Sequence, residues 1–280
     1  MPSLFLETFG LVALECLNWG IPVCGISQGG LQDFIHPDLR LDPGNPVESF
    51  FSIIDRGVFP VSDISDFSYS EWIIHLERLT AWYHRILIVS DYLTPVGGAE
   101  QYIMDLTVAL RSLGKLVEQH GYARSVSRMM RIWLFLLSPI AYWRWKELDK
   151  KIQTYKPDII WMHQISRYIW PHGVGAILDT GCPIYLTHHD LGLISPRPSQ
   201  IYRESDIPDA SLGWWMSKST GIISIIVYTF KWLYVSWIWG KLKVQSPKFK
   251  IIHLLPSLWM RSYFEQYTND QIEIFPHTSK

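Results

Sequence analysis

The sequence predicts an α/β fold built on parallel sheets. Short apolar runs recur at Arg85–Ser90, Asp158–Met162, Ile184–Thr187, Ile251–Leu255 and Ile272–Phe275. Their length and near-continuous hydrophobicity suit strands covered on both faces. Each run also finishes in polar residues: His163, then His188-His189-Asp190, Pro256-Ser257 and Pro276-His277. Ligands of an open α/β sheet lie beyond the carboxyl ends of its strands, so these polar residues are expected on one edge.

The elements follow in order. Leu11–Trp19 reads as a helix, with Gly20 just past its end and Pro22 beyond. Ile21–Ile26 reads as a short buried strand and Gly29-Gly30 as the next turn. His36–Leu41 reads as a second short strand, and Asp42-Pro43-Gly44-Asn45 carries turn chemistry. Pro46–Ile54 is a short helix with Pro at its start. After a loop over Gly57–Ser68, Ser70 is expected to cap a helix over Glu71–Trp82. The strand Arg85–Ser90 then leads through Gly97-Gly98-Ala99-Glu100 into a helix that stops at Gly114. Strand, glycine turn and helix in that order form a phosphate-cradling arrangement.

Composition bounds the rest. The 280 residues are 48% hydrophobic, enough for a packed core. The net charge of −1 conceals an asymmetry: residues 1–83 hold three basic and eleven acidic residues, residues 84–280 twenty-two and fifteen. Two unlike units are expected, 1–83 and 84–280. Cys16, Cys24 and Cys182 lie in apolar contexts without paired spacing, which reads as reduced thiols in a cytoplasmic protein. The amino terminus lacks the basic start of a signal peptide. Metal-binding spacings are absent, so no metal or other cofactor is expected.

The most informative stretch is Pro2–Ile35. Phe9, Gly10 and Leu11 open a helix whose first amides and dipole favour an anion, and Gly10 permits close approach. Glu7 precedes that helix and Glu15 lies within it. An isolated pair of glutamates is ordinarily a solvated one. The whole string, however, resembles the donor-binding motif of retaining glycosyltransferases with the GT-B fold, the "group one" family. Pro2-Ser3, Glu7, Phe9-Gly10-Leu11, Glu15, Gly20, Pro22-Val23 and Gly29-Gly30 carry the resemblance. The stretch from Ile86 to Leu110, with Gly97-Gly98, resembles the opening of the amino-terminal domain of the same family.

The resemblance implies two Rossmann-like sheets and transfer of a sugar, with retention, from a nucleotide diphosphate sugar to a glycan or lipid-linked acceptor. It implies that Glu7 contacts the donor sugar, Glu15 the ribose, and Gly10 the diphosphate. Gly97 and Gly98 would face the donor phosphate and the acceptor, and His189 would lie beside the donor sugar. No metal is implied. The order of the parts differs from the family: the donor-type unit, 1–83, precedes the acceptor-type unit, 84–280. The first half of the donor domain, with its basic diphosphate-binding pair, is not visible. A permuted chain or a join of two neighbouring genes would give this order.

Two inserts stand out, at about 125–150 and 214–245. Residues 111–151 hold nine basic and three acidic residues, around an aromatic run from Met129 to Trp145. Ala210–Phe264 holds six Lys and one Arg and no acidic residue. Tryptophan and lysine beside long apolar faces suit attachment to an anionic membrane surface, here the inner face. The apolar run within Gly221–Trp239 has the length of a span. A span would separate Arg85–Ser90 from Ile251–Leu255, which are expected in one sheet. Nucleic acid is not an expected partner. Two alternatives stay open: a catalytically incomplete, lipid-bound binding module, and an unrelated dinucleotide enzyme. The second is disfavoured because GxGxxG does not follow Arg85–Ser90.

Overall fold

A computed structural model describes residues 10–93, 97–122, 142–163, 165, 171–196, 210–245 and 250–277. Its centre is a six-stranded, wholly parallel sheet of Rossmann-like α/β type. The strands are β3 (Arg85–Tyr92), β4 (Leu116–Tyr122), β5 (Ile159–His163), β6 (Ile184–Thr187), β7 (Ile251–Leu255) and β8 (Gln271–Ile274), in spatial order β4-β3-β5-β6-β7-β8. The order reverses between β3 and β5, which makes the crevice there the switch point of the sheet.

Alternation within each strand loads both faces. Leu87, Val89, Ile160, Met162, Ile184 and Leu186 point to one apolar cluster. Ile86, Ile88, Ile159, Trp161 and Tyr185 point to the other. The second face is covered by α3 (Tyr69–Thr80) and α4 (Gly98–Ser112), through Trp72, Leu76, Ile103 and Leu106. The first is covered by α5 (Tyr142–Tyr155), α6 (Pro171–Leu178), α7 (Leu212–Ser217), α8 (Ile222–Gln245) and α9 (Leu258–Phe264). At the amino-terminal edge the Asp158 carboxylate accepts from the backbone amides of His84 (2.9 Å) and Arg85 (2.7 Å). Those bonds hold its pKa below the usual carboxylate range.

The amino-terminal elements form a smaller unit. They are α1 (Leu11–Asn18), β1 (Gly25–Ile26), β2 (Arg40–Leu41) and α2 (Pro46–Arg56). The two strands pair in parallel over two residues each, shorter than the sequence suggested. Pro22 lacks an amide donor, and Pro37–Leu39 turns as a 3-10 helix before β2. Leu14, Leu17, Ile26, Phe34, Leu39 and Ile53 make a separate core. The unit touches the larger one through Asp33, whose carboxylate accepts from the Leu258 amide at 3.1 Å.

Three local readings change. The cap of α3 is Ser68, whose side chain accepts from the Glu71 amide, with Ser70 inside the helix. Strand β4 was not anticipated: Glu118, Gln119 and His120 break its apolar run, as an edge strand allows. The helix of the acid-free insert continues to Gln245. The aromatic run Met129–Trp145 lies largely outside the described residues.

Candidate functional site

The strand register fixes what meets at the carboxyl edge. Ser90 pairs with His163, and His163 with Thr187. Parallel strands of equal phase therefore present Ser90, His163 and Thr187 as a row, with His188 and His189 directly after. Within the row the Trp161 indole N–H donates to Thr187 Oγ1 at 2.8 Å, which fixes both side chains.

On the α4 face, three histidines and a tyrosine gather. His163 Nδ1 and His189 Nε2 lie 3.0 Å apart. Tyr102, one turn into α4, stacks on His277 at 4.3 Å between centroids and meets His189 edge-on at 5.2 Å. His163 lies flat on Trp161. All four are buried. Burial withholds the water an imidazolium needs, so the pKa of His163 falls to about 3, with His277 adding to the effect. His277 also falls to about 3, and His189 is driven well below the ordinary histidine range by burial and then by its neighbours. The cluster is thus uncharged at neutral pH. One ring of the His163–His189 contact donates and the other accepts. His163 Nε2 is buried and makes no hydrogen bond among the described residues.

A second network lies on the opposite face. His188 Nε2 is 2.8 Å from His253 Nδ1, and His253 Nε2 is 3.2 Å from Asp270 Oδ2. With Asp270 as acceptor, His253 presents a lone pair and His188 donates to it, so the carboxylate sets both tautomers. His253 stacks on Trp239, and His188 touches Phe264. Burial pushes the His188 pKa well below its ordinary value. A cavity of about 20 Å3 opens at the end of β6, lined by Thr187, His188, His189, Asp190 and Leu193. A larger cleft of about 310 Å3 lies between α3 and the end of β8, lined by Trp72, His75, Arg78 and Pro276. Trp72 and Phe275, stacked at 5.8 Å, stand between that cleft and Tyr102.

No family model matches this chain, and no curated protein is similar to it. What the candidate site can do therefore rests on its own chemistry. Neutral imidazoles and a phenol suit hydroxyl groups and serve poorly as phosphate counter-charges.

The positions singled out in the sequence fall in three groups. His189 lies within the histidine cluster. Gly97 is the amino-terminal cap of α4, and Gly98 its first residue. A side chain at Gly97 would meet the Glu100 carboxylate, whose Oε2 stands 2.9 Å from where its Cβ would lie. The buried Glu100 thereby occupies the amino-terminal end of α4 with the chain's own carboxyl group. Gly10 is buried and caps α1 without a side-chain hydrogen bond, Leu11 begins the helix, and Glu15 is exposed on it. Glu7 and Phe9 lie outside the described residues. Tyr102, Glu100, His253 and Asp270 were missed. His253 carried a signal: a histidine inside the strand IIHLL must find a buried partner.

Proposed function

We propose that the chain takes part in transfer of a sugar, with retention, from a nucleotide diphosphate sugar to a glycan or lipid-linked acceptor. The observation that carries this reading is the neutral histidine cluster at the switch point, beside the glycine turn of α4. Sugar hydroxyls both donate and accept, and the imidazoles and phenol gathered at this edge are partners of that kind. His189 and Glu7 position the donor sugar. On this reading Gly10 and Leu11, with Phe9, receive the diphosphate at the start of α1, and Glu15 the ribose. Gly97 and Gly98 face the donor phosphate and the acceptor. No metal or cofactor enters the reading; stabilisation of the departing diphosphate is electrostatic.

A second reading has its own support. Among the described residues, the donor-type unit holds one ladder of two residues per strand. So small a sheet favours a binding module that has kept the fold without turnover. Both forms place the protein in the cytoplasm against the inner face of a membrane.

Turnover and binding with a panel of nucleotide sugars separate the two. Glu15→Ala is expected to weaken nucleotide diphosphate binding by about 1–3 kcal/mol, the cost of losing a charged hydrogen-bond partner. Calorimetry showing equal affinity in the folded variant removes Glu15 from the reading. Binding without turnover across the panel favours the binding module.

A further inference from the structure

Helix α8 is longer than the sheet it crosses. Its 24 residues span about 36 Å, whereas the five-residue strand β7 spans about 17 Å. It connects β6 to β7, which are neighbours and parallel, so it runs from the carboxyl edge of the sheet down to the amino edge. Two bonds locate that carboxyl edge along the helix. Tyr234 Oη donates to the Ile165 carbonyl just past β5, and Lys231 Nζ donates to the Ser195 carbonyl past β6 at 3.1 Å. Below them Val235, Ile238, Trp239 and Leu242 are buried against the sheet. The nine residues Ile222–Phe230 therefore project beyond the carboxyl edge by about 13 Å.

That projecting half is braced by α7 on one side and carries an exposed apolar stripe on the other. Ile222 and Ile223 are each 77% exposed, and Ile226, Phe230 and Leu233 continue one stripe at helical spacing. Among the described residues, Ile222–Val244 is the one helix long and apolar enough to cross a membrane, and only 22% of it is buried. A crossing is excluded by topology, because β6 and β7 flank it and share a ladder. The surrounding chemistry points to a lipid surface. Ala210–Phe264 contains six Lys, one Arg and no acid. On α7, which meets the tip through Met216 and Thr229, Lys218 sits over Trp214. Tryptophan rings and lysine beside an exposed apolar stripe match the headgroup layer of an anionic bilayer.

We propose that the amino-terminal half of α8, braced by α7, is a membrane-docking tip that inserts into the anionic leaflet. It stands on the same edge of the sheet as the histidine cluster. Docking thus turns the candidate site toward the membrane, where a lipid-linked ligand is presented to it. Only this last consequence rests on the sugar-transfer reading; the docking does not.

The test is co-sedimentation of the whole chain with phosphatidylcholine–phosphatidylglycerol vesicles, with pure phosphatidylcholine vesicles for comparison. The chain is expected to bind the anionic vesicles, and added salt is expected to release it. The double variant Ile222→Glu/Ile226→Glu changes only exposed positions and keeps its melting temperature. It is expected to lose about tenfold or more in partitioning. An environment-sensitive fluorescent amino acid, introduced by codon suppression, is expected to shift to the blue on vesicles at position 223 and not at position 244. Absent binding, binding untouched by the double variant, or shielding at both labelled positions overturns the proposal. So does a lipid-independent dimer that the double variant dissolves while vesicles go unbound. Vesicle binding without turnover on any nucleotide sugar leaves the docking standing and counts against sugar transfer alone. Turnover without vesicle binding does the reverse.

Discussion

Burial of His163 and His277 couples the fold to pH. Both titrate near 3 when folded and near their ordinary 6.5 when unfolded. A depressed folded value means that the unfolded chain binds the extra proton. The stabilisation is complete above about pH 6.5 and is lost as pH falls toward 3, at about 1.4 kcal/mol per pH unit for each such histidine. His189 shifts in the same direction and steepens the slope. Urea titrations are expected to show proton uptake on unfolding that rises from under about one at pH 7 to about two or more at pH 5, and about one fewer at pH 5 in His277→Gln. Equal slopes in the two proteins would remove His277 from this coupling. The opposite face makes its own prediction. Asp270→Ala leaves His253 Nε2 without its acceptor, frees the tautomers of both rings, and is expected to cost about 1.5–3 kcal/mol in urea unfolding.

Helix α3 shows how a cap is chosen. Both Ser68 and Ser70 precede an apolar, charged helix, and either has the right chemistry. The structure selects Ser68 because its extended backbone lets the hydroxyl reach the Glu71 amide. Ser68→Ala is expected to cost about 1 kcal/mol, and Ser70→Ala a few tenths, in thermal melts. A larger loss at Ser70 would return the cap to that residue. Such details escape sequence because two serines differ only in backbone angle. Buried strands do not escape it: Ile184–Thr187 and Ile251–Leu255 are largely apolar runs, and their bounds are those read directly. Strand β4 escaped because one side of it faces solvent, which dilutes the signal with Glu118, Gln119 and His120. At the candidate site the histidines at strand ends were legible. Tyr102 was not, because an aromatic on a helix face reads as core until the neighbouring strand supplies a histidine ring.

At the scale of the molecule, two apolar cores stand side by side. The smaller, over residues 13–53, is built from short elements, and the larger fills both faces of the sheet. Hydrogen exchange is expected to be faster in α1 and α2 than in β3 and β5, because a small core opens at lower cost. Asp33→Ala is expected to widen that difference by removing the bond to the Leu258 amide; no change would show that the units stay together without it. This contact joins positions 225 residues apart. On a ribosome adding about 5–20 residues per second, α1 and its core emerge roughly 10–45 s before the helix they dock on exists. During that interval the acidic unit is a solitary nascent domain, and the open edge of β6 awaits β7 behind the whole of α8. The earlier-made of the two units thus waits for a docking surface that is completed only once most of the sheet has been synthesised.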